Sequence, residues 1–251
     1  MKMHLRNFSL LLLMTIMLFS CGDPKPKKVE TWYDDSKTQL KEEYFVKGED
    51  APVRSGTYKA YYSDGTLKEE KNYEEGELSG PAKYYDEEGQ LLEESEYAMG
   101  ELNGFRTLYK DGIKEIVEHY KRGNYHGDYA SYYPNGKLRE EGQFIENSME
   151  GEWKFYYENG QLRETVEFAG NKENGPYKRY HENGQVESVG QFKNEKETGY
   201  WEYFYESGAI KEQVNFVNGW EEGTVIVFTE EGDTSKRIIY EEGRVTDYKE
   251  Y

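Results

Sequence analysis

The chain has one cysteine in 251 residues, Cys21, so no disulfide can form within it. It has four histidines, His4, His119, His126 and His181, at unrelated places in the sequence. One thiol and scattered imidazoles argue against a zinc site of the usual ligand spacing. No serine sits in a G-x-S-x-G turn, and neither a phosphate-cradling loop nor a D-x-D-x-D-G calcium loop is present. Positive charge is scarce: 32 Lys and Arg stand against 50 Asp and Glu, giving a formal charge of −18. Such a field repels phosphate backbones, which argues against nucleic acid as a partner, and it favours encounter with a basic protein. Carboxylate pairs such as Glu69 and Glu70 abound, but this composition produces them by chance. General acid–base chemistry needs a perturbed carboxyl held in a cleft. The expectation is a protein that is not an enzyme and uses no metal and no cofactor.

Apolar residues are also few, 35% of the chain, although aromatics reach 16% and tyrosine alone accounts for 25 residues. A sheet of this composition is not covered on both faces. Glycine supplies the order. Gly56, Gly80, Gly104, Gly127, Gly151, Gly175, Gly199 and Gly223 recur every 24 residues, with a single step of 23 between Gly104 and Gly127. A fixed period of this length marks a repeat array.

Counting each opening glycine as position 0, a second glycine stands at position 9, as in Gly65, Gly89, Gly136, Gly160 and Gly184; unit three has Gly112, one residue early. It follows Asn or Asp in Asp64, Asn135, Asn159 and Asn183. Those pairs suit a type I′ turn, so each unit reads as a strand, a tight turn, a second strand and a loop, the loop being AGNKENG in unit five. Eight such units give sixteen strands. The second strand carries an aliphatic at position 11 (Leu67, Leu91, Leu138, Leu162, Val186, Ile210) and an aromatic at position 17 (Tyr73, Tyr97, Phe144, Phe168, Phe192, Phe216, Tyr240). Equal parity places the two on one face, which is assigned to the core. Position 13 shares that parity yet is Glu69, Glu93, Glu140, Glu164 and Glu212. Either a bulge turns it outward or it lies beyond the covered part of the sheet, as a solvated rim or an acidic row facing a ligand. One unit alone does not bury enough to offset its chain entropy, so units must stack.

Position 5 is aromatic in every unit: Tyr61, Tyr85, Tyr109, Tyr132, Tyr156, Tyr180, Phe204 and Phe228. Its parity is opposite to that of the core aromatics Trp153 and Phe155. Either the sheet curls and this column packs on its own loops, or it is an exposed ladder suited to protein or glycan recognition. These eight residues are the candidate binding surface.

The run G-x-W-x-x-Y-Y-x-x-G-x-L over Gly151–Leu162 resembles the bacterial variant of the MORN repeat. The resemblance implies an all-β fold, an elongated meander of antiparallel hairpins. Bacterial proteins of this type are often labelled antitoxins of toxin–antitoxin systems, so it also implies a protein partner and an antitoxin-like or immunity-like role. Residues 1–20 read as an export signal, with Lys2 and Arg6 before an apolar stretch from Phe8 to Phe19 that is too short to span a bilayer. Leu18-Phe19-Ser20-Cys21 resembles a bacterial lipobox, which implies lipidation of Cys21 and a lipoprotein of the cell envelope, held in the outer membrane. Residues 21–30 read as the lipidated cysteine and a flexible tether, 31–55 as a degenerate cap repeat, 56–243 as eight MORN-like repeats and 244–251 as a C-terminal cap. The expected function is a lipid-anchored protein-binding scaffold; the alternative is a structural or glycan-binding envelope module without a toxin partner.

Overall fold

The computed structural model of the protein describes residues 25–251, so the export signal and Cys21 lie outside the described residues. Twenty-one strands and no helix make up the described chain. Each strand pairs antiparallel with its neighbours in sequence, from Lys27–Trp32 at one end to Arg244–Glu250 at the other. Glu77–Leu78 continues as Gly80–Tyr85, and Trp220–Glu221 continues as Gly223–Phe228, so the strands form nineteen rows. The first and last rows do not pair with each other among the described residues, and the sheet is open. Pairing begins at Lys27, inside the stretch read as a flexible tether. Within the stretch read as a degenerate cap, Leu40–Lys47 forms a hairpin with Lys27–Trp32.

The unit is built differently at both of its turns from the sequence expectation. In unit five the strands are Ser148–Tyr156 and Leu162–Ala169. The Asn159-Gly160 turn is not type I′. Asn159 keeps a negative φ, and only Gly160 is left-handed, with φ 90. The Gly160 N–H donates to the Tyr157 carbonyl at 2.8 Å, and the Tyr157 N–H donates to the Gln161 carbonyl at 2.8 Å. This is a three-residue loop closed by a glycine bulge. Asn159 is favoured because its side-chain oxygen accepts from the Gln161 N–H at 2.8 Å. The type I′ geometry sits where a loop was expected: Ala169 pairs with Lys172 across Gly170 (φ 62) and Asn171 (φ 67). The opening glycine therefore lies inside a strand. Gly151 (φ 70) marks a bulge where three residues, 151–153, oppose Gly142 alone.

A second bulge re-aims the side chains. Phe155 pairs with Glu164, but the next residue, Tyr156, pairs with Leu162. Arg163 is the extra residue. Directly paired residues share a face, so Leu162 stands beside Tyr156 and Glu164 beside Phe155. The same shift occurs at Tyr61 with Leu67, Tyr85 with Leu91, Tyr132 with Leu138, Tyr180 with Val186 and Phe204 with Ile210. The parity assignment of position 11 to the core is thus corrected. Position 13 is not turned outward; it lies on the core face.

That core is thin. Thirteen described residues are buried, and they occupy positions 2, 4, 13, 15 and 17, with Glu118 and Tyr120 standing one place earlier in the shortened unit three. Trp201, Val214 and Val225 form one knot of it, with Phe192, Phe216, Tyr203 and Tyr240 against them. Size alternates along it. Trp153 and Trp201 are each 2% exposed and lie on glycines of the preceding hairpin: a Cβ on Gly142 would stand 2.2 Å from Trp153 Cδ2, and one on Gly190 2.0 Å from Trp201 Cδ2. Edge-on aromatic contacts of 5.2 Å for Phe144–Trp153 and Phe192–Trp201 complete the layer.

Candidate functional site

Both faces of the sheet carry an organised row, and they differ in kind. On the core face, the position-13 carboxylates are half-buried and close the polar ends of the aromatic layer. Glu164 accepts from the Tyr177 hydroxyl at 3.2 Å, Glu140 from the Ser131 hydroxyl at 2.8 Å, Glu93 from Arg106 at 3.0 Å, and Lys71 pairs with Glu69 at 2.7 Å. Such groups hold a core only when partnered. They are neither a free rim nor an open acidic row. Toward the C-terminus the partners thin out. Burial and the nearby Glu221 push the Glu212 carboxyl up, and burial with Glu221 does the same to Glu197. Among the described residues no group of three or more His, Cys, Asp or Glu is arranged to hold a metal ion.

The opposite face carries the position-5 column. Tyr61, Tyr85, Tyr109, Tyr132, Tyr156, Tyr180, Phe204 and Phe228 are all half-buried, neither fully exposed nor packed away. The bulge places an aliphatic beside most of them, so the column is a strip of aromatic–aliphatic pairs that repeats every two strands, about 9.6 Å. Unit three interrupts it, where Tyr109 pairs with Lys114. Three rings are tied down by their hydroxyls: Tyr61 donates to Glu43 at 2.9 Å, Tyr109 to Glu94 at 3.0 Å and Tyr156 to Glu141 at 2.6 Å. Burial, and then the Glu141 carboxylate, push the Tyr156 hydroxyl up to about 12, so it stays a neutral donor throughout the physiological range. Lys83 and Glu94, 2.6 Å apart, flank the strip with Lys59 and Glu70, 3.2 Å apart. An aromatic–aliphatic strip set among charged pairs has the anatomy of a recognition surface.

Position 6 holds a ladder that parity alone did not reveal. Tyr62, Tyr133, Tyr157 and Tyr205 each donate a hydroxyl to the backbone of the next unit, at Tyr85, Tyr156, Tyr180 and Phe228, over 2.7–2.8 Å. His181 occupies the same rung and meets the Phe204 carbonyl at 3.1 Å. A histidine that looked unrelated to the repeat is therefore one of its staples. The signal available in sequence was the tyrosine that follows the position-5 aromatic in units one, four, five and seven.

The sequence model of the MORN repeat variant matches six stretches, 54–75, 78–99, 125–146, 149–169, 173–194 and 197–218. No curated protein matches the chain. Among solved structures, the crystal structure of TcdB2-TccC3 is 11% identical with a TM-score of 0.20; the match covers 88% of this chain and 14% of that one. A porin-like protein from Bacteroides uniformis ATCC 8492 is 9% identical with a TM-score of 0.20, covering 89% of this chain and 96% of that one. Likenesses at those scores carry no argument about fold or function. The six stretches cover more than half of the chain, and each falls on one turn of the meander. The chain belongs to the MORN repeat variant family and is, at that level, a repeat-based binding or scaffold module.

Proposed function

We infer that this protein is a non-enzymatic docking scaffold, lipid-anchored through Cys21 to the cell envelope at the outer membrane, that binds a protein partner along its aromatic–aliphatic strip. The observation that carries this reading is the strip itself. One aromatic per unit recurs at a constant step on the face that does not form the core, and hydroxyl bonds hold several rings in place. Rings fixed before binding lose less freedom on association. A partner lying along several units would spread its binding energy over equivalent positions. The net charge of −18 favours a basic partner. Bacterial proteins with such repeats are often labelled antitoxins, and the export signal read at residues 1–20 favours an envelope role of that kind, as immunity against an incoming toxin.

The test is affinity capture of the tagged lipoprotein from membranes, compared with the Tyr156→Ala, Tyr180→Ala double variant. The expected result is a defined partner retained by the wild type and lost by the variant, with an unchanged circular dichroism spectrum. Equal retention by both would refute docking on the strip. Retention on peptidoglycan or polysaccharide instead would favour the glycan-binding alternative. In the same cells Cys21→Ser is expected to leave the protein unprocessed or released from membranes; processing and membrane partition like wild type would refute the anchor.

A further inference from the structure

Unit three departs from its neighbours in ways that meet at one place. It is one residue short, so its tip is the two-residue turn Asp111-Gly112 (φ 53 and 76) rather than the three-residue loop of the other units. Position 6, which staples units one, four, five, six and seven to the next, is Lys110 here, as it is Asp86 in unit two, and the Tyr132 carbonyl receives no rung from it. The family match also passes over this unit, running from 78–99 directly to 125–146. Between the tips of units three and four a hollow of about 270 Å³ opens.

The chemistry of the hollow runs against the rest of the molecule. Its floor is Tyr132, Tyr133, Ile113 and Pro134, and three of its nine lining residues are the cations Lys110, Lys114 and Arg139, against Asp111 and Glu115. Charges beyond about 8 Å are screened at physiological salt, so a ligand here meets these three cations and their near carboxylates, Glu140 beside Arg139 included, rather than the acidic whole. Two wall groups are positioned by bonds of their own. Arg139 Nε donates to the buried Ser131 hydroxyl at 3.1 Å, which fixes the guanidinium, and the Tyr133 hydroxyl is held on the Tyr156 carbonyl at 2.7 Å. Arg139 also reaches Glu140 at 3.3 Å, which leaves part of its fork for another acceptor. The volume falls just below the roughly 300–1,000 Å³ of drug-sized pockets, so the occupant is small.

We propose that the hollow between units three and four is a binding site for a small anionic ligand, a carboxylate or phosphate on a compact ring, with Lys110 and Arg139 taking the anion and Tyr132 and Tyr133 the ring. The site borders the docking strip and shares Tyr132 with it; Lys110 and Arg139 play no part in the strip, so their variants test the hollow alone. The test titrates tyrosine-labelled protein with D-glucuronate, glucose 6-phosphate and D-glucose, read by NMR. The two acids distinguish carboxylate from phosphate, and glucose reports the ring alone. The expected result is saturable movement of Tyr132 and Tyr133 with one or both acids, with a dissociation constant on the order of 1 mM or tighter. Tyr156 and Tyr157, their counterparts in unit five, stay still, and glucose binds at least about tenfold more weakly. Lys110→Gln with Arg139→Gln is expected to remove the response while the thermal melt is kept; both side chains are exposed, and Lys110→Gln alone serves if the pair unfolds. Movement with glucose equal to that with the acids, movement of all tyrosines alike, no movement, or an unchanged response in Lys110→Gln would each overturn the site.

Discussion

At the scale of the residue, one extra amino acid per hairpin decides which side chains work together. Arg163 and its counterparts at position 12 reverse the alternation, so Leu162 leaves the core for the docking strip and Glu164 joins the aromatics. Trp153→Ala is therefore expected to cost about 3–5 kcal/mol, as removal of a fully buried aromatic does. Leu162→Ala is expected to cost no more than about 1 kcal/mol, because its side chain is only half-buried on the other face. Urea denaturation of the two variants checks this, and similar losses would place Leu162 back in the core. Gly142→Ala tests the size match beneath Trp153. Gly142 has no positive φ, so the expected loss of about 1–3 kcal/mol comes from overpacking alone. The core aromatics at positions 2 and 17 were legible from their period. Position 11 was not, because parity assumes an unbroken strand. The misfit of glutamate at position 13 was the one sign in the sequence that it was broken.

At the scale of the element, the hairpins were legible and their turns were exchanged. Asn-Gly announced a tight turn correctly, but its asparagine works through its side chain at a negative φ. The true two-residue turns contain pairs such as Gly170-Asn171 and Asn194-Glu195, whose composition does not set them apart from a loop. The units are joined by the position-6 ladder and by the match of glycine to tryptophan, which spans two units. Tyr157→Phe removes one rung and is expected to cost about 0.5–1.5 kcal/mol, measured by denaturation. Deleting residues 175–198 removes one whole unit and sets Val166 where Gly190 had lain beneath Trp201. That protein is expected to fold, to be destabilised by overpacking, and to regain stability on Val166→Gly, a change that weakens the intact chain, where Val166 is 1% exposed. Loss of stability from Val166→Gly in both backgrounds would contradict the interlock. A 12-residue deletion is expected to break register and prevent folding of the array.

At the scale of the whole molecule, charge is partnered unevenly from end to end. Hydrogen bonds from Lys28 and Lys83 hold the Glu43 and Glu94 carboxyls below their ordinary range. Their contribution is present at neutral pH and is lost as pH falls below about 4.3, the ordinary glutamate value. Burial first, and then neighbouring carboxylates, push Glu173, Glu197 and Glu212 up. Their contribution is present in acid and is lost as pH rises through their folded values. Acidification from pH 7 to pH 4 is expected to lower amide-exchange protection in the first hairpins relative to the last; a uniform change would contradict this. Shape follows from the pairing, since every row bonds only to its sequence neighbours and the sheet does not close. Nineteen rows at about 4.8 Å would extend roughly 85 Å, which corresponds to a radius of gyration of at least about 25 Å. A compact domain of the same length would have about 17 Å. Small-angle scattering of protein lacking the first 24 residues separates the two: a value near 25 Å or above is the result expected of an open single-layer meander with two working faces, and a value near 17 Å would contradict it.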